Sequence, residues 1–210
     1  MSGAPELLRL GVLVSGGGRS LENLVERSRA GTLPAEVALV ISNSPEAFAL
    51  ERARRLGIPS TVIRPRDHAD DATFGVAVFE ALERANVALA VLAGYLVRLP
   101  MNDAWRGRVL NIHPALLPSF GGRGYYGHHV HEAVLRAGVK VTGCTVHFVD
   151  DVYDQGPILL QKTVPVREED DADAVADRVF EAEKEALPEA IGLIAAGRVS
   201  LDGPRVRVAP

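Results

Sequence analysis

The sequence predicts an α/β chain with a doubly wound, mostly parallel sheet and a mixed C-terminal extension. Three observations carry this. Short apolar runs alternate with segments whose apolar residues recur at helical spacing. Most of the early runs are closed by Gly, Ser, Asn or Pro. Residues 87–93 are apolar almost throughout, as a strand buried on both faces must be. The chain has 210 residues, enough for one sizeable core, and its 47% hydrophobic and 24% charged content excludes disorder over most of that length.

The elements follow in order. Residues 8–14 are the first strand and end in Ser15-Gly16-Gly17-Gly18; Leu21, Leu24, Val25 and Ser28 then mark a helix. Residues 37–41 are a second strand, closed by Ser42-Asn43-Ser44-Pro45. The helix carrying Phe48, Leu50, Ala53 and Leu56 stops at Gly57-Ile58-Pro59. Residues 60–63 read as a third strand, and Phe74, Val78, Leu82 and Ala85 as one face of a third helix. Residues 87–93 and 109–112 supply the fourth and fifth strands. Such an alternation is Rossmann-like.

The second half differs. Residues 121–127 (Gly-Gly-Arg-Gly-Tyr-Tyr-Gly) form a mobile loop by composition, and a helix is expected over 128–137. Residues 141–149 alternate, with Thr142, Cys144, Val146 and Phe148 on one face, and 158–166 is a further strand. A helix over 170–196 contains Pro188, where a kink is expected, and residues 199–208 read as a hairpin turning at Asp202-Gly203-Pro204. No repeat or linker divides the chain. A single domain over 1–210 is expected, with an N-terminal half over 8–113 and a C-terminal half over 114–210.

Charge and cysteine content narrow the partners. Lys and Arg number 23 against 27 Asp and Glu, so no basic field exists to hold nucleic acid through its phosphates. The one cysteine, Cys144, excludes an internal disulfide framework and a cysteine-based zinc site, and fits a reducing cytoplasm. No apolar run approaches the ~18–20 residues that span a bilayer. Residues 1–6 lack the basic and apolar segments of a signal peptide. A cytoplasmic chain without nucleic-acid or membrane partners is expected.

Ser15-Gly16-Gly17-Gly18-Arg19-Ser20 joins the first strand to the first helix. Glycines let the backbone approach a ligand, and a helix N-terminus offers free N–H groups to an anion. Gly16 and Gly18 match the start of G-x-G-x-x-G, but Leu21 stands at the third glycine and Ser42-Asn43 replaces the ribose-binding acid. One phosphate of a small substrate is the better inference, and a plain tight turn is the alternative.

Asn111-Ile112-His113-Pro114 ends the fifth strand, and i, i+2 spacing sends Asn111 and His113 to one face. Ligands of open α/β sheets sit at such strand ends. Asn111 can hydrogen-bond a carbonyl oxygen, and His113 can transfer a proton near neutral pH. A pair that merely caps the next turn has the same spacing. Asp154 lies in the turn Asp150-Asp151-Val152-Tyr153-Asp154-Gln155-Gly156-Pro157, either as an Asx-turn residue or as a partner for His113.

Three stretches together carry a resemblance: Asn111-Ile112-His113-Pro114-Ala115-Leu116-Leu117-Pro118, Gly143-Cys144-Thr145-Val146-His147-Phe148-Val149 and Asp154-Gln155-Gly156-Pro157-Ile158. With Ser15-Gly16-Gly17-Gly18, Leu21, Ser42-Asn43 and Leu92-Ala93-Gly94-Tyr95-Leu96, they resemble the folate-dependent formyltransferases over roughly residues 8–197. Within that family the chain is most similar to the branch that formylates glycinamide ribonucleotide in purine biosynthesis.

The resemblance implies transfer of a formyl group from 10-formyltetrahydrofolate, as cosubstrate, to the amine of glycinamide ribonucleotide. It implies no metal and no covalent enzyme intermediate. Asn111, His113 and Asp154 match the catalytic trio: Asn111 and protonated His113 stabilise the oxyanion, and Asp154 keeps His113 charged and oriented. Gly18, Arg19 and Ser20 match the phosphate loop, which makes 8–113 the phosphate-binding half and 114–210 the folate-site half. Glu183 matches an acid that contacts the ribonucleotide. It also continues the apolar stripe Val175, Val179, Leu187, where a charge is costly unless paired; a rim position on that stripe is the bland alternative.

Leu96, Val97, Arg98 and Leu99, with Asn111 and the loop Asp150, Asp151, Val152, Tyr153 and Asp154, match the folate pocket. Without the resemblance, residues 96–99 read as helix-start packing. Two departures stand out. The arginine that meets the folate tail is not evident: Asp71 stands near its place, with Arg66 as a substitute. The loop 119–127 is longer than in the best-known members.

Several rivals remain. His128, His129 and His131 crowd together, but only His128 and His131 share a helix face, and no acid has an obvious ligand role. Formyltransferases acting on initiator tRNA, folate hydrolases and sugar-nucleotide formyltransferases share elements of the motif set but are longer. A sensor that kept the fold and lost the chemistry is the non-enzymatic reading. Either a monomer or a homodimer is compatible with the sequence. His147 supports the site from its strand or satisfies a turn.

Overall fold

The computed structural model describes residues 7–210; residues 1–6, expected to carry no signal peptide, lie outside the described residues. The N-terminal half runs β1 (Leu8–Val14), α1 (Arg19–Arg29), β2 (Ala35–Ser42), α2 (Phe48–Leu56), β3 (Ser60–Val62), α3 (Asp71–Arg84), β4 (Leu89–Leu92) and β5 (Val109–His113). Then come α4 (His128–Arg136), β6 (Val141–Phe148), β7 (Ile158–Pro165), α5 (Ala172–Ala195), β8 (Val199–Asp202) and β9 (Arg205–Val208). One sheet has the order β3-β2-β1-β4-β5-β6-β7. Its strands β1 to β5 pair in parallel, and β6 and β7 are added antiparallel. β8 and β9 form the expected hairpin. This is the Rossmann-like α/β architecture that the alternation of runs predicted.

The sheet is covered on both faces. Leu21, Leu24 and Val25 of α1, Ala49 and Ala53 of α2, Val134 of α4 and Val175, Val179, Leu187 and Ile191 of α5 share one core with Leu10, Val12 and Val14. Phe74, Val78 and Leu82 of α3 pack with Trp105, Leu13 and Ile41 in the other. Burial of side chains of this size, at about 1.5–3 kcal/mol each, is the main force holding helices to strands. Asp70 caps α3 through the Thr73 N–H, and Asp171 caps α5 through the Ala174 N–H, each at 2.8 Å.

Pro188 does not end α5, which continues to Ala195. A proline lacks the N–H that would pair with the carbonyl four residues earlier, here that of Lys184. Asn23 Nδ2 of α1 donates to this carbonyl at 3.0 Å, so the orphaned acceptor becomes a tie between the two helices.

The strand order reverses between β1 and β4, so their following loops lie side by side. The Ser15 N–H donates to the Gly94 carbonyl at 3.0 Å, and the Leu96 N–H donates to Ser15 Oγ at 2.8 Å. Residues 96–99 form irregular backbone and not the helix start that local packing suggested, because this tie to Ser15 directs the chain along the cavity wall.

Candidate active site

A cavity of about 590 Å³ opens along the carboxyl ends of β1, β4 and β5. At one end stands the glycine loop. Gly18 has φ 74°, and a Cβ there would come within 2.6 Å of Ala49 Cβ, so both conformation and space require glycine. No side chain caps α1, which leaves its first-turn N–H groups without a side-chain partner. The loop is braced from α2: Arg52 Nε donates to the Gly17 carbonyl at 2.8 Å and ion-pairs with Glu22.

The floor is built by β5 and β6. Leu110 and Ile112 enter the core, which sends Asn111 and His113 to the opposite face. The antiparallel register places His147 directly across from Asn111, and Asn111 Nδ2 lies 3.0 Å from His147 Nε2. His147 Nδ1 is 2.9 Å from the Phe148 carbonyl, an acceptor, so Nδ1 carries a proton.

Asp154, in the loop between β6 and β7, joins the cluster. Its Oδ1 accepts from Asn111 Nδ2 at 3.3 Å, and its Oδ2 accepts from the Gly122 N–H at 2.8 Å. Its carboxylate also lies 3.6 Å from His113 Nδ1 and 3.6 Å from His147 Nε2. His113 Nε2 lies 2.8 Å from the Phe120 carbonyl. The structure therefore brings together Asn111, His113 and Asp154, and adds His147 to them.

Burial and neighbours set the charges. Burial acts to raise the Asp154 pKa. His147, His113 and the Gly122 N–H outweigh it, and the carboxyl is held below its ordinary value. Burial lowers the His113 pKa and outweighs the opposing pull of Asp154 and the Phe120 carbonyl. Asp154 thus favours the charged ring, and burial pushes it the other way. Burial raises Glu183 to about 8 against the influence of Arg19, so this acid is mostly protonated at neutral pH.

The remaining expected residues all line the same cavity: Gly18, Arg19 and Ser20, Leu96 to Leu99, Asp150 to Tyr153, and Glu183 on the α5 wall. Asp151 turns its carboxylate to Arg106 at 2.7 Å, and Arg98 Nη2 donates to the Asp151 carbonyl at 3.3 Å. Arg66 is exposed and does not line the cavity; Arg98 does, with Nη1 3.9 Å from Asp71. His128 pairs with Asp173 at 2.9 Å instead of joining His131, whose ring is 6.3 Å away. Sequence reasoning left the place of His147 open and did not single out Phe180 or Tyr125, which also line the cavity. For His147 a signal existed, since it is the ionisable side chain within Val146-His147-Phe148-Val149.

A doubly wound α/β chain with a strand-end cavity floored by a buried His and half-buried Asn and Asp side chains is built as an enzyme. Residues 8–191 match the family model described as Formyl transferase, and the chain belongs to that family.

The trifunctional purine biosynthetic protein adenosine-3 of Gallus gallus is 42% identical over 196 residues, covering 92% of this chain and 19% of that protein. The chain spans only 14–19% of the trifunctional relatives it matches. The chloroplastic phosphoribosylglycinamide formyltransferase of Arabidopsis thaliana is 37% identical over 198 residues, covering 93% of this chain and 68% of that protein. Glycinamide ribonucleotide transformylase 1 from Symbiobacterium toebii superposes with a TM-score of 0.91 at 40% identity, covering 99% of this chain and 96% of the other.

Proposed function

We propose that the chain transfers the formyl group of 10-formyltetrahydrofolate to the primary amine of glycinamide ribonucleotide, a step of de novo purine biosynthesis. The observation that carries this reading is one cavity that joins an uncapped glycine-loop helix terminus to the Asn111–His113–Asp154 cluster. The names of the relatives in Arabidopsis and Symbiobacterium support the choice of acceptor. The single buried cysteine supports a cytoplasmic site of action. No helix among the described residues is long and apolar enough to cross a membrane.

The substrate phosphate binds at Gly18, Arg19 and Ser20, where N–H groups and the helix dipole favour an anion. Protonated Glu183 can donate to one ribose hydroxyl and accept from another. The folate occupies the wall from Leu96 to Leu99 and the loop from Asp150 to Asp154, which brings its formyl group to Asn111 and His113.

The amine nitrogen attacks the formyl carbon, and the carbonyl electron pair moves to oxygen. That oxygen takes the place of the Phe120 carbonyl as acceptor from His113 Nε2–H, and Asn111 Nδ2 gives up its longer, 3.3 Å contact with Asp154 Oδ1 to become the second donor. As the oxyanion grows, His113 Nδ1 takes a proton from solvent, Asp154 stabilises the resulting imidazolium, and that proton returns to solvent when the carbonyl re-forms. Breakage of the folate nitrogen–carbon bond then restores the carbonyl. The amine loses one proton and the folate nitrogen gains one, relayed by water at Asp154.

The test is formyl transfer by the purified chain with each substrate omitted in turn. Folate turnover that requires the ribonucleotide supports the reading. Turnover without it identifies a folate hydrolase, and no turnover overturns the assignment.

A further inference from the structure

Arg19 and Phe180 meet at the entrance to the glycine loop. Arg19 is the first residue of α1, and its guanidinium carbon lies 3.6 Å from the centroid of the Phe180 ring. Its ion pair among the described residues is with Asp177, at 3.5 Å. That pair is open to water on both sides, with side-chain exposures of 52% and 77%, and such pairs hold an arginine weakly. The ring contact is therefore what positions the cation. Asp177, Phe180 and Glu183 follow at three-residue spacing along α5, so all three stand on the side of the helix that meets the loop.

We infer that Phe180 is a positioning residue for anion recognition: its ring holds the Arg19 guanidinium over the uncapped N-terminus of α1, ready for a phosphomonoester. This rests on the proposed reading of the cavity. A long arginine side chain loses much rotational freedom when it engages a ligand, and a ring face that fixes it beforehand removes part of that loss. With its carbon held over the ring face, the guanidinium can still offer N–H donors to phosphate oxygens. Glu183 does not neutralise Arg19 from the next turn, because burial keeps that acid protonated up to about 8. A lysine would supply the charge at this position but not the plane that stacks.

Titration of inorganic phosphate into the purified chain, followed by amide NMR shifts in the first turn of α1, tests this directly. Phe180→Leu is expected to weaken phosphate binding roughly five- to twentyfold. Phe180→Tyr keeps the ring face and should restore it. Arg19→Lys should lose a similar factor, and adding Phe180→Leu to Arg19→Lys should lose little more, because the two act as one unit.

In turnover, the loss appears as a raised KM for the ribonucleotide and not for the folate. Phosphate binding unchanged in Phe180→Leu or in Arg19→Lys overturns the inference, as does independent multiplication of the two losses. If Phe180→Leu does not fold, the Arg19→Lys titration still decides. A parent chain that binds phosphate but transfers no formyl group removes the function reading while leaving this inference standing.

Discussion

His113 Nε2 lies 2.8 Å from the carbonyl oxygen of Phe120, and Phe120 holds a left-handed backbone with φ 54°. Asp154, on the other side of the imidazole, also stands in this region with φ 57°. Non-glycine residues adopt it at a cost of order 1 kcal/mol, most readily as Asn or Asp. The two loops that flank His113 thus carry local strain where they touch the ring, and the surrounding hydrogen bonds over-determine both conformations. One imidazole nitrogen faces a neutral carbonyl and the other a carboxylate. The ring is oriented before substrate arrives, and its proton-donating edge is kept in place by an acceptor that a formyl oxygen can replace.

Asp154→Asn should fold like the parent, because asparagine tolerates the left-handed backbone and still accepts from the Gly122 N–H. It removes the charge that raises the His113 pKa. The His113 imidazole titration, followed by NMR, is expected to move further down. Formyl transfer should fall by roughly 10²–10³-fold, the scale of losing an electrostatic partner at a developing charge. An unmoved His113 titration would show that the 3.6 Å pair carries no coupling.

Gly121→Ala probes the loop without touching a chemical group. A Cβ at this position would collide with Leu117 Cδ2 and come within 3.2 Å of Asp154 Cβ. Leu117 or the loop must give way, and a displaced loop pulls the adjacent Gly122 N–H from its 2.8 Å contact with Asp154 Oδ2. Overpacking of this kind costs about 1–3 kcal/mol. Activity should drop roughly ten- to a hundredfold while the melting curve remains cooperative. Parent-like kinetics would mean that the loop adjusts without disturbing Asp154.

Much of this was legible in the chain itself. The alternation of apolar runs marked the parallel core, and the i, i+2 spacing placed Asn111 and His113 on one face. Features set by distant pairing were not. His147 reaches Asn111 only through the antiparallel register of β5 and β6, which no local pattern encodes. Pro188 signalled a kink by the local rule, but the Lys184 carbonyl it leaves free is met by Asn23, 161 residues earlier. Asp154 entered the site through family likeness, since its turn sequence alone has an ordinary structural reading. Sequence shows the carboxylate partner of His113 but not the depth of burial that opposes it.

His131 is buried at 5% exposure, and its Nδ1 has no hydrogen-bond partner. Burial, with the nearby His128 and His113, pushes its pKa down to about 4. A histidine depressed in the fold titrates at its ordinary value when unfolded, so stability is lost as pH falls from about 6.5 towards 4. At 1.36 kcal/mol per unit, the loss approaches about 3 kcal/mol. Denaturant unfolding at pH 7.5 and pH 4.5 should show His131→Gln losing less stability between the two than the parent does. An equal loss in both would place the acid sensitivity elsewhere.

Glu183 gives the opposite sign. Its folded pKa is raised to about 8 by burial, above its unfolded value, so the fold favours the protonated acid. The stability this contributes is complete below the unfolded value of about 4.3 and is lost as pH rises through 8. Glu183→Gln keeps the volume and the neutral hydrogen-bonding character of the protonated acid. The variant should match the parent in denaturant unfolding at pH 5 and exceed it in stability at pH 9. The same substitution tests the ribose contact. If the protonated acid is the binding form, KM for the ribonucleotide in Glu183→Gln stays nearly flat between pH 7 and 9, while that of the parent climbs as the carboxyl ionises. Parallel profiles in parent and variant would mean that Glu183 is either ionised throughout or out of reach of the ribose.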